Sequence, residues 1–295
     1  MDGASLAGQP RYFGYGAPQA VAGSTVSAAI ATATGRILIL NPATHALEST
    51  IDAQVLSYPS YGVLLSNNGT VLSAVENTAS GSAVTVYALP AGTVTATFPT
   101  AGGYTALSAS GTVLGLISGG STPPCSATAQ TIATAQLLWS SSVCGTSLQL
   151  SPDGTGVAFT QGSPFAAGAV TEIYSNGTLV TTIPSFALAW LGDGELLTSP
   201  YAKCCDIYSS GGMLLGTVPL QSPTTLPSAQ VVPPATLTAV PTLIYSDLYN
   251  SIYSLSSSAV TWTSGSQITN DGTLGAVSGS NVVFQVQNLI LAEPY

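Results

Sequence analysis

Ser151-Pro152-Asp153-Gly154-Thr155-Gly156-Val157-Ala158-Phe159-Thr160 reads as a tight turn running into a short apolar strand. Asp-Gly supplies the positive φ that such a turn demands, and the run after it is short enough and apolar enough for a strand. A small or polar residue, a turn glycine and an apolar run recur at Ser66-Asn67-Asn68-Gly69, Ser108-Ala109-Ser110-Gly111, Leu191-Gly192-Asp193-Gly194 and Thr269-Asn270-Asp271-Gly272. Successive turn glycines from 69 to 194 are about 40 residues apart, and the step from 194 to 272 is about twice that. A degenerate copy is therefore expected between them, where Ala229 to Tyr253 alternates, and another before 69, at Gly23-Ser24-Thr25-Val26.

Seven such units fill the 295 residues. Each is too small to bury its own apolar face, so the units must stack on one another. A period of this length predicts an all-β, seven-bladed β-propeller with four-stranded antiparallel blades. In the fourth unit Leu148 to Leu150 is inner strand a, Val157 to Thr160 strand b, Thr171 to Tyr174 strand c and Leu179 to Ile183 strand d, with Ser175-Asn176-Gly177 as the c–d hairpin. On these residues the chain resembles bacterial propeller repeats of the YVTN and Pro-Asp-Gly type, in which a Ser-Pro-Asp-Gly turn precedes an apolar strand. The resemblance covers about six of the seven units, by turn and alternation rather than by identity. It implies the fold and an extracytoplasmic habit, and no particular activity, because function lives in sites rather than folds.

Residues 1–10 read as a frayed lead and 11–295 as one domain without a linker. The first unit runs from Ala17 to about Ala53 and the third carries the longest b–c loop, Gly119 to Ala129. The sixth holds strands at Thr242 to Tyr245, Ser251 to Leu255 and Val260 to Thr263. Closing a ring requires one terminus to supply the outer strand of the last unit; Arg11 to Tyr15 and Leu289 to Ala292 compete, and the N-terminal segment is preferred.

Only 5% of the residues are charged, against about 25% in ordinary soluble domains. No Asp, Glu, Lys or Arg stands between Glu76 and Asp153. That suits a merely neutral secreted surface, a glycosylated exterior, a packed assembly or an acidic medium. With a net charge of −9 and Arg11, Arg36 and Lys203 as the only Lys or Arg residues, nucleic acid and anionic membranes are excluded as partners. The uncharged stretch from Gln19 to Gly35 is too rich in Ser, Thr and Gly to span a bilayer, and Met1-Asp2-Gly3 does not open a signal peptide.

Cys125 and Cys144 fall in connections that emerge on the same face, and a disulfide between them is predicted. Cys204 and Cys205, at the start of strand c of the fifth unit, form either a vicinal disulfide or two buried thiols. A zinc site is not expected, since there is one histidine, His45, at a rim hairpin, and no Cys-x-x-Cys. Disulfides imply an oxidising compartment, hence an extracellular or cell-surface location.

The d–a and b–c connections surround one mouth of the central channel. They carry Tyr58, Tyr61, Tyr104, Phe165, Phe186, Tyr201 and Tyr249, with Lys203 and Asp247 beside two of them; Tyr15 joins the same set. Such a face stacks on sugar rings or apolar side chains, unless these aromatics merely fill gaps between blades. Catalysis has no support: Asp153, Asp193 and Asp271 are explained by turn chemistry on the opposite face, no facing carboxylate pair is evident, and no base stands beside a serine. Asn68-Gly69-Thr70 and Asn176-Gly177-Thr178 match a glycosylation sequon and are also ordinary hairpin turns, the preferred reading unless the host glycosylates. The expectation is a non-catalytic extracellular binding propeller without cofactor or metal, whose partner is a glycan or a protein. The alternative is a structural subunit of a coat or filament, packing against copies of itself.

Overall fold

The computed structural model describes residues 18–24, 27–32, 35–41, 44, 46–55, 62–79, 81–100, 104–118, 123–162, 167–191, 194–200 and 206–217. Beyond these it describes the backbone of strands 229–231, 242–245, 251–256, 259–263, 275–278, 281–286 and 289–294. Tyr15, His45, Tyr58, Tyr61, Phe165, Asp193, Tyr201, Lys203, Cys204, Cys205, Asp247, Tyr249 and Asp271 lie outside the described residues.

The described elements are all strands, in antiparallel sheets whose strand order follows the chain. The first sheet is β1–β4 (Pro18–Gly23, Ala28–Thr32, Arg36–Asn41, Ala46–Asp52) and the second β5–β8 (Val63–Leu65, Val71–Thr78, Gly81–Ala88, Thr93–Pro99). The third is β9–β12 (Thr105–Leu107, Val113–Ser118, Ser126–Thr131, Leu137–Ser141) and the fourth β13–β16 (Ser147–Leu150, Gly156–Gln161, Val170–Ser175, Thr178–Ile183). The fifth is β17–β20 (Phe186–Trp190, Leu196–Ser199, Asp206–Tyr208, Leu214–Thr217) and the sixth β21–β24 (Ala229–Val231, Thr242–Tyr245, Ser251–Ser256, Ala259–Thr263). A three-stranded sheet, β25–β27 (Gly275–Ser278, Asn281–Val286, Leu289–Pro294), completes the set.

The a–b turns of the second, third and fourth sheets are each organised by a serine, whereas Leu191 takes that backbone position in the fifth. Ser151 N–H donates to the Gly156 carbonyl (2.9 Å), its carbonyl accepts from Gly154 N–H (2.9 Å), and its Oγ accepts from Gly156 N–H (2.6 Å). Ser66 and Ser108 repeat the arrangement, taking Val71 N–H at 2.9 Å and Val113 N–H at 3.0 Å on Oγ. The chain can reverse in so few residues because Gly69, Gly111 and Gly154 adopt φ of 70°, 72° and 83°. The c–d hairpin of the fourth sheet puts Asn176 and Gly177 at φ 47° and 77°, the two positive values of a type I′ turn.

Consecutive sheets pack face to face. Ile37, Ile39 and Ile51 of the first meet Val63, Leu65 and Leu72 of the second, and Val84, Val86 and Phe98 of the second meet Leu114 and Leu116 of the third. Trp139 of the third packs 5.2 Å, centroid to centroid, from both Phe159 and Tyr174 of the fourth, whose Ile173 and Ile183 in turn meet Ala187 and Leu196 of the fifth. The turns themselves are linked: Asn67 N–H donates to the Ala109 carbonyl (2.8 Å) and Ser110 N–H to the Pro152 carbonyl (2.9 Å), one sheet to the next. At the other end of the series, β25 lies beside β1.

Leu289–Pro294 pairs along Asn281–Val286 at one edge of the described three-stranded sheet; Arg11 to Tyr15, the preferred closing segment, lies outside the described residues. Two details differ from the sequence expectation. Strand c of the third sheet already begins at Ser126, which shortens the expected 119–129 loop to 119–125, shorter than the connection 162–169. Phe186 is the first residue of β17, paired with Ser199, rather than a loop residue.

Candidate functional site

Four of the residues expected at the aromatic edge are described, and the fold carries all four to the edge formed by the b–c and d–a connections. Cys125 and Cys144 form the expected disulfide, with Cα atoms 5.0 Å apart, tying the entry to β11 to the connection into the fourth sheet. Tyr104 precedes β9, its carbonyl accepting from Ile117 N–H (2.9 Å), and is 39% exposed. Phe186 is half-buried at the head of β17. Beneath it lies a buried hydroxyl network: Thr160 and Thr171 bond through their Oγ1 atoms (2.7 Å), Thr171 donates to the Ser185 carbonyl (2.6 Å), and Ala187 N–H donates to Thr171 Oγ1 (3.2 Å). Buried hydroxyls are tolerated because they are paired in this way, and here they stiffen the edge between the fourth and fifth sheets.

The opposite edge holds a cleft of about 370 Å³ between the fourth and fifth sheets. Tyr174 and Trp190 line it on the apolar side, and Asp153, Thr155 and Ser210 on the polar side. Trp190 is held in place by its indole N–H, which donates to the Gln149 carbonyl (3.2 Å), and Tyr174 by its phenol, which donates to Glu172 Oε2 (2.6 Å). Burial and that bond to Glu172 push the Tyr174 phenol up to about 12. Burial alone would raise the Asp153 carboxyl, but hydrogen bonds from Ser151 Oγ and from the amide and hydroxyl of Thr155 outweigh it, and the group sits below the usual aspartate value. Asp153 is thus a fixed negative charge at neutral pH, suited to pairing with a cation and unsuited to giving or taking protons there.

From the sequence, no ligand is expected on this edge, and turn chemistry alone accounts for Asp153. That expectation misses Tyr174, Trp190 and Ser210, although a signal exists. Trp190 ends strand a and Tyr174 nears the end of strand c, so strand direction alone carries both to the a–b turn edge. Elsewhere, buried Glu76 accepts from Thr85 Oγ1 (3.0 Å) and from the Tyr87 phenol, which burial and that carboxylate push upward; this is a bond within one sheet. The described residues contain no group of three His, Cys, Asp or Glu side chains able to hold a metal. They contain no helix long and apolar enough to cross a membrane.

Among solved structures, the chain is similar to one in the crystal structure of a mitotic checkpoint complex, with TM-score 0.62 and 16% identity over 100% of this chain and 90% of that one. It is also similar to Kuenenia stuttgartiensis hydrazine synthase, with TM-score 0.62 and 10% identity over 100% and 99%. The fold is of the β-propeller type. A computationally designed protein, Ika8, aligns with TM-score 0.53 and 14% identity over 95% of this chain and 97% of that one. Identities this low carry the propeller architecture and nothing about activity. No protein-family model matches the chain, and no curated protein matches it.

Proposed function

We propose that this propeller has seven blades, built from repeats of the YVTN and Pro-Asp-Gly type, and works outside the cytoplasm as a non-catalytic module that binds a glycan or an extracellular protein on its b–c edge. Ring closure is supported by β25 lying beside β1, since the last sheet of a closed ring must meet the first. The binding reading rests on one observation above all. On a single edge of the third sheet, the Cys125–Cys144 disulfide braces two neighbouring connections, and Tyr104, exposed, stands on the same edge. A cross-linked loop loses less freedom on binding, so contacts made on that edge retain more of their energy. The disulfide also fits an oxidising location. The test is a glycan array and an extracellular-protein screen with the intact chain, followed by Tyr104→Ala. A hit that the variant binds as tightly as the wild type removes this edge as the site.

A second reading, a structural subunit of an extracellular coat or filament, is favoured by the outer strands. Leu47, Val94, Leu137, Leu179 and Leu214 are large, exposed and placed one on each outer strand of the first five sheets, Val94 reaching 58% exposure. The outer strands β8, β12, β16 and β20 carry no charged residue, and charge is the usual protection of an open sheet edge. A rim of this kind invites pairing with a second copy. Sedimentation and negative-stain images of the native material decide: discrete rings at all concentrations exclude the assembly, and polymers support it.

A further inference from the structure

The a–b turns of the second, third and fourth sheets are built alike, yet only one carries a charge. In the second, Asn68 Oδ1 accepts from Ser66 Oγ (2.9 Å), Thr70 N–H (3.1 Å) and Thr70 Oγ1 (2.7 Å). In the third, Ser110 Oγ bonds with Ser108 Oγ (3.0 Å) and Thr112 Oγ1 (2.7 Å). In the fourth, Asp153 Oδ1 accepts from Ser151 Oγ (2.6 Å) and Thr155 N–H (3.0 Å), while Oδ2 meets only Thr155 Oγ1 (2.9 Å). An amide and a hydroxyl therefore close the same turn as a carboxylate does, and the turn does not require a negative charge at this position.

The Asp153 charge lines the cleft between the fourth and fifth sheets, which Tyr174 and Trp190 also line. Asp153 is exposed, and Arg36, the only Lys or Arg among the described residues, is in another sheet, paired with Asp52 at 2.8 Å. We propose that this cleft is a second binding site, distinct from the b–c edge, and takes an alkylammonium group whose apolar stem lies along Trp190 and Tyr174 while its nitrogen pairs with Asp153 Oδ2. The cleft offers each part of that ligand what it needs: a carboxylate oxygen with acceptor capacity to spare, aromatic side chains beside it, and hydroxyls at Thr155 and Ser210 for the remaining ammonium protons. The chain's net charge of −9 draws such a cation from solution. A lysine side chain presented by a partner polypeptide and a free diamine share this chemistry.

Three probes test it by calorimetric titration of the intact chain: Nα-acetyl-lysine N-methylamide, cadaverine, and the neutral analogue Nα-acetyl-norleucine N-methylamide. One or both amines are expected to bind, the norleucine compound not to, and the tighter amine identifies a peptide-borne or a free ligand. Asp153→Asn and Asp153→Ser reproduce the turns of the second and third sheets, so both are expected to melt as the wild type does and to bind amines at least about tenfold more weakly. The proposal is overturned if neither amine binds, if the norleucine analogue binds equally well, or if either variant keeps wild-type affinity. It is also overturned if both variants fail to fold, since the charge would then belong to the turn. Tyr104→Ala, on the other edge, is expected to leave amine binding unchanged, which separates this site from the one proposed above.

Discussion

Gly154→Ala tests what joins one sheet to the next. Gly154 has φ 83°, and a Cβ there would lie 2.4 Å from Val113 Cγ2 and 2.9 Å from Val113 Cβ, both in the neighbouring sheet. Gly194 has nearly the same backbone, φ 85°, with nothing within 4 Å of its added Cβ. Alanine in this left-handed conformation costs roughly 1–2 kcal/mol at either position. At 154 the overlap with Val113 adds roughly 1–3 kcal/mol, because Val113 is 4% exposed and packed too closely to retreat. Gly154→Ala should thus lower the unfolding free energy by about 2–5 kcal/mol and Gly194→Ala by about 1–2 kcal/mol. Urea titrations followed by tryptophan fluorescence measure both. Adding Val113→Ala makes room for the new methyl group, so the double variant should recover about 1 kcal/mol or more relative to the sum of the single losses. Equal losses at 154 and 194, or strict additivity with Val113→Ala, would show that the turn glycine does not set the spacing between sheets.

Replacing Cys125 and Cys144 together by alanine opens a loop with a sequence separation of 19 and should cost about 3 kcal/mol, read as a lower urea midpoint that reductant no longer changes. Asp153 is held below its usual pKa, so its stabilising contribution is present above the unfolded value of 3.8 and lost as pH falls through the folded one. Acid titration of Asp153→Asn should accordingly show a shallower loss of stability below that value than the wild type. Tyr174 runs the other way: its phenol is raised, so folding stability should decline as pH climbs from 10.0 towards about 12, and Tyr174→Phe should remove that part of the decline in an alkaline melting series. Tyr104→Ala should leave the melting temperature nearly unchanged, because that ring is 39% exposed; early melting would make it a packing residue.

The features legible in the sequence were those set by local geometry. Gly69, Gly111 and Gly154 announce themselves because no other residue takes their φ cheaply, and the strands follow from the runs between them. Cys125 and Cys144 were legible once strand direction put their connections on one edge. Illegible were features set by a partner strand. Each four-stranded sheet has a register shift between its third and fourth strands, as at Ile39/Leu40, Val86/Tyr87, Ala129/Gln130 and Ile173/Tyr174. Those pairs share no signature, because a bulge belongs to the pairing and not to one segment. The loop expected over Gly119 to Ala129 overlaps the start of Ser126–Thr131, where Ala127 and Ala129 are fully buried against the fourth sheet. The cleft depended on which strand ends converge between two sheets, which only packing decides.

The two edges reach rigidity by different means, and that bears on where recognition can diversify. On the b–c edge the connections vary in length and are tied down individually, by the Cys125–Cys144 bond in one case and by the Thr160–Thr171 pair in another. A change there alters a loop and its brace together. In the a–b turns of the second, third and fourth sheets every bond that shapes the turn uses the serine, the glycine and the backbone, and the residue between them need only present an acceptor oxygen, as Asn68, Ser110 and Asp153 each do. That one position can therefore change charge without changing the fold, while successive turns stay linked through Asn67 to Ala109 and Ser110 to Pro152. A carboxylate appearing at one such position, beside a cleft with aromatic walls, is how a repeated turn acquires a specific role without disturbing its neighbours.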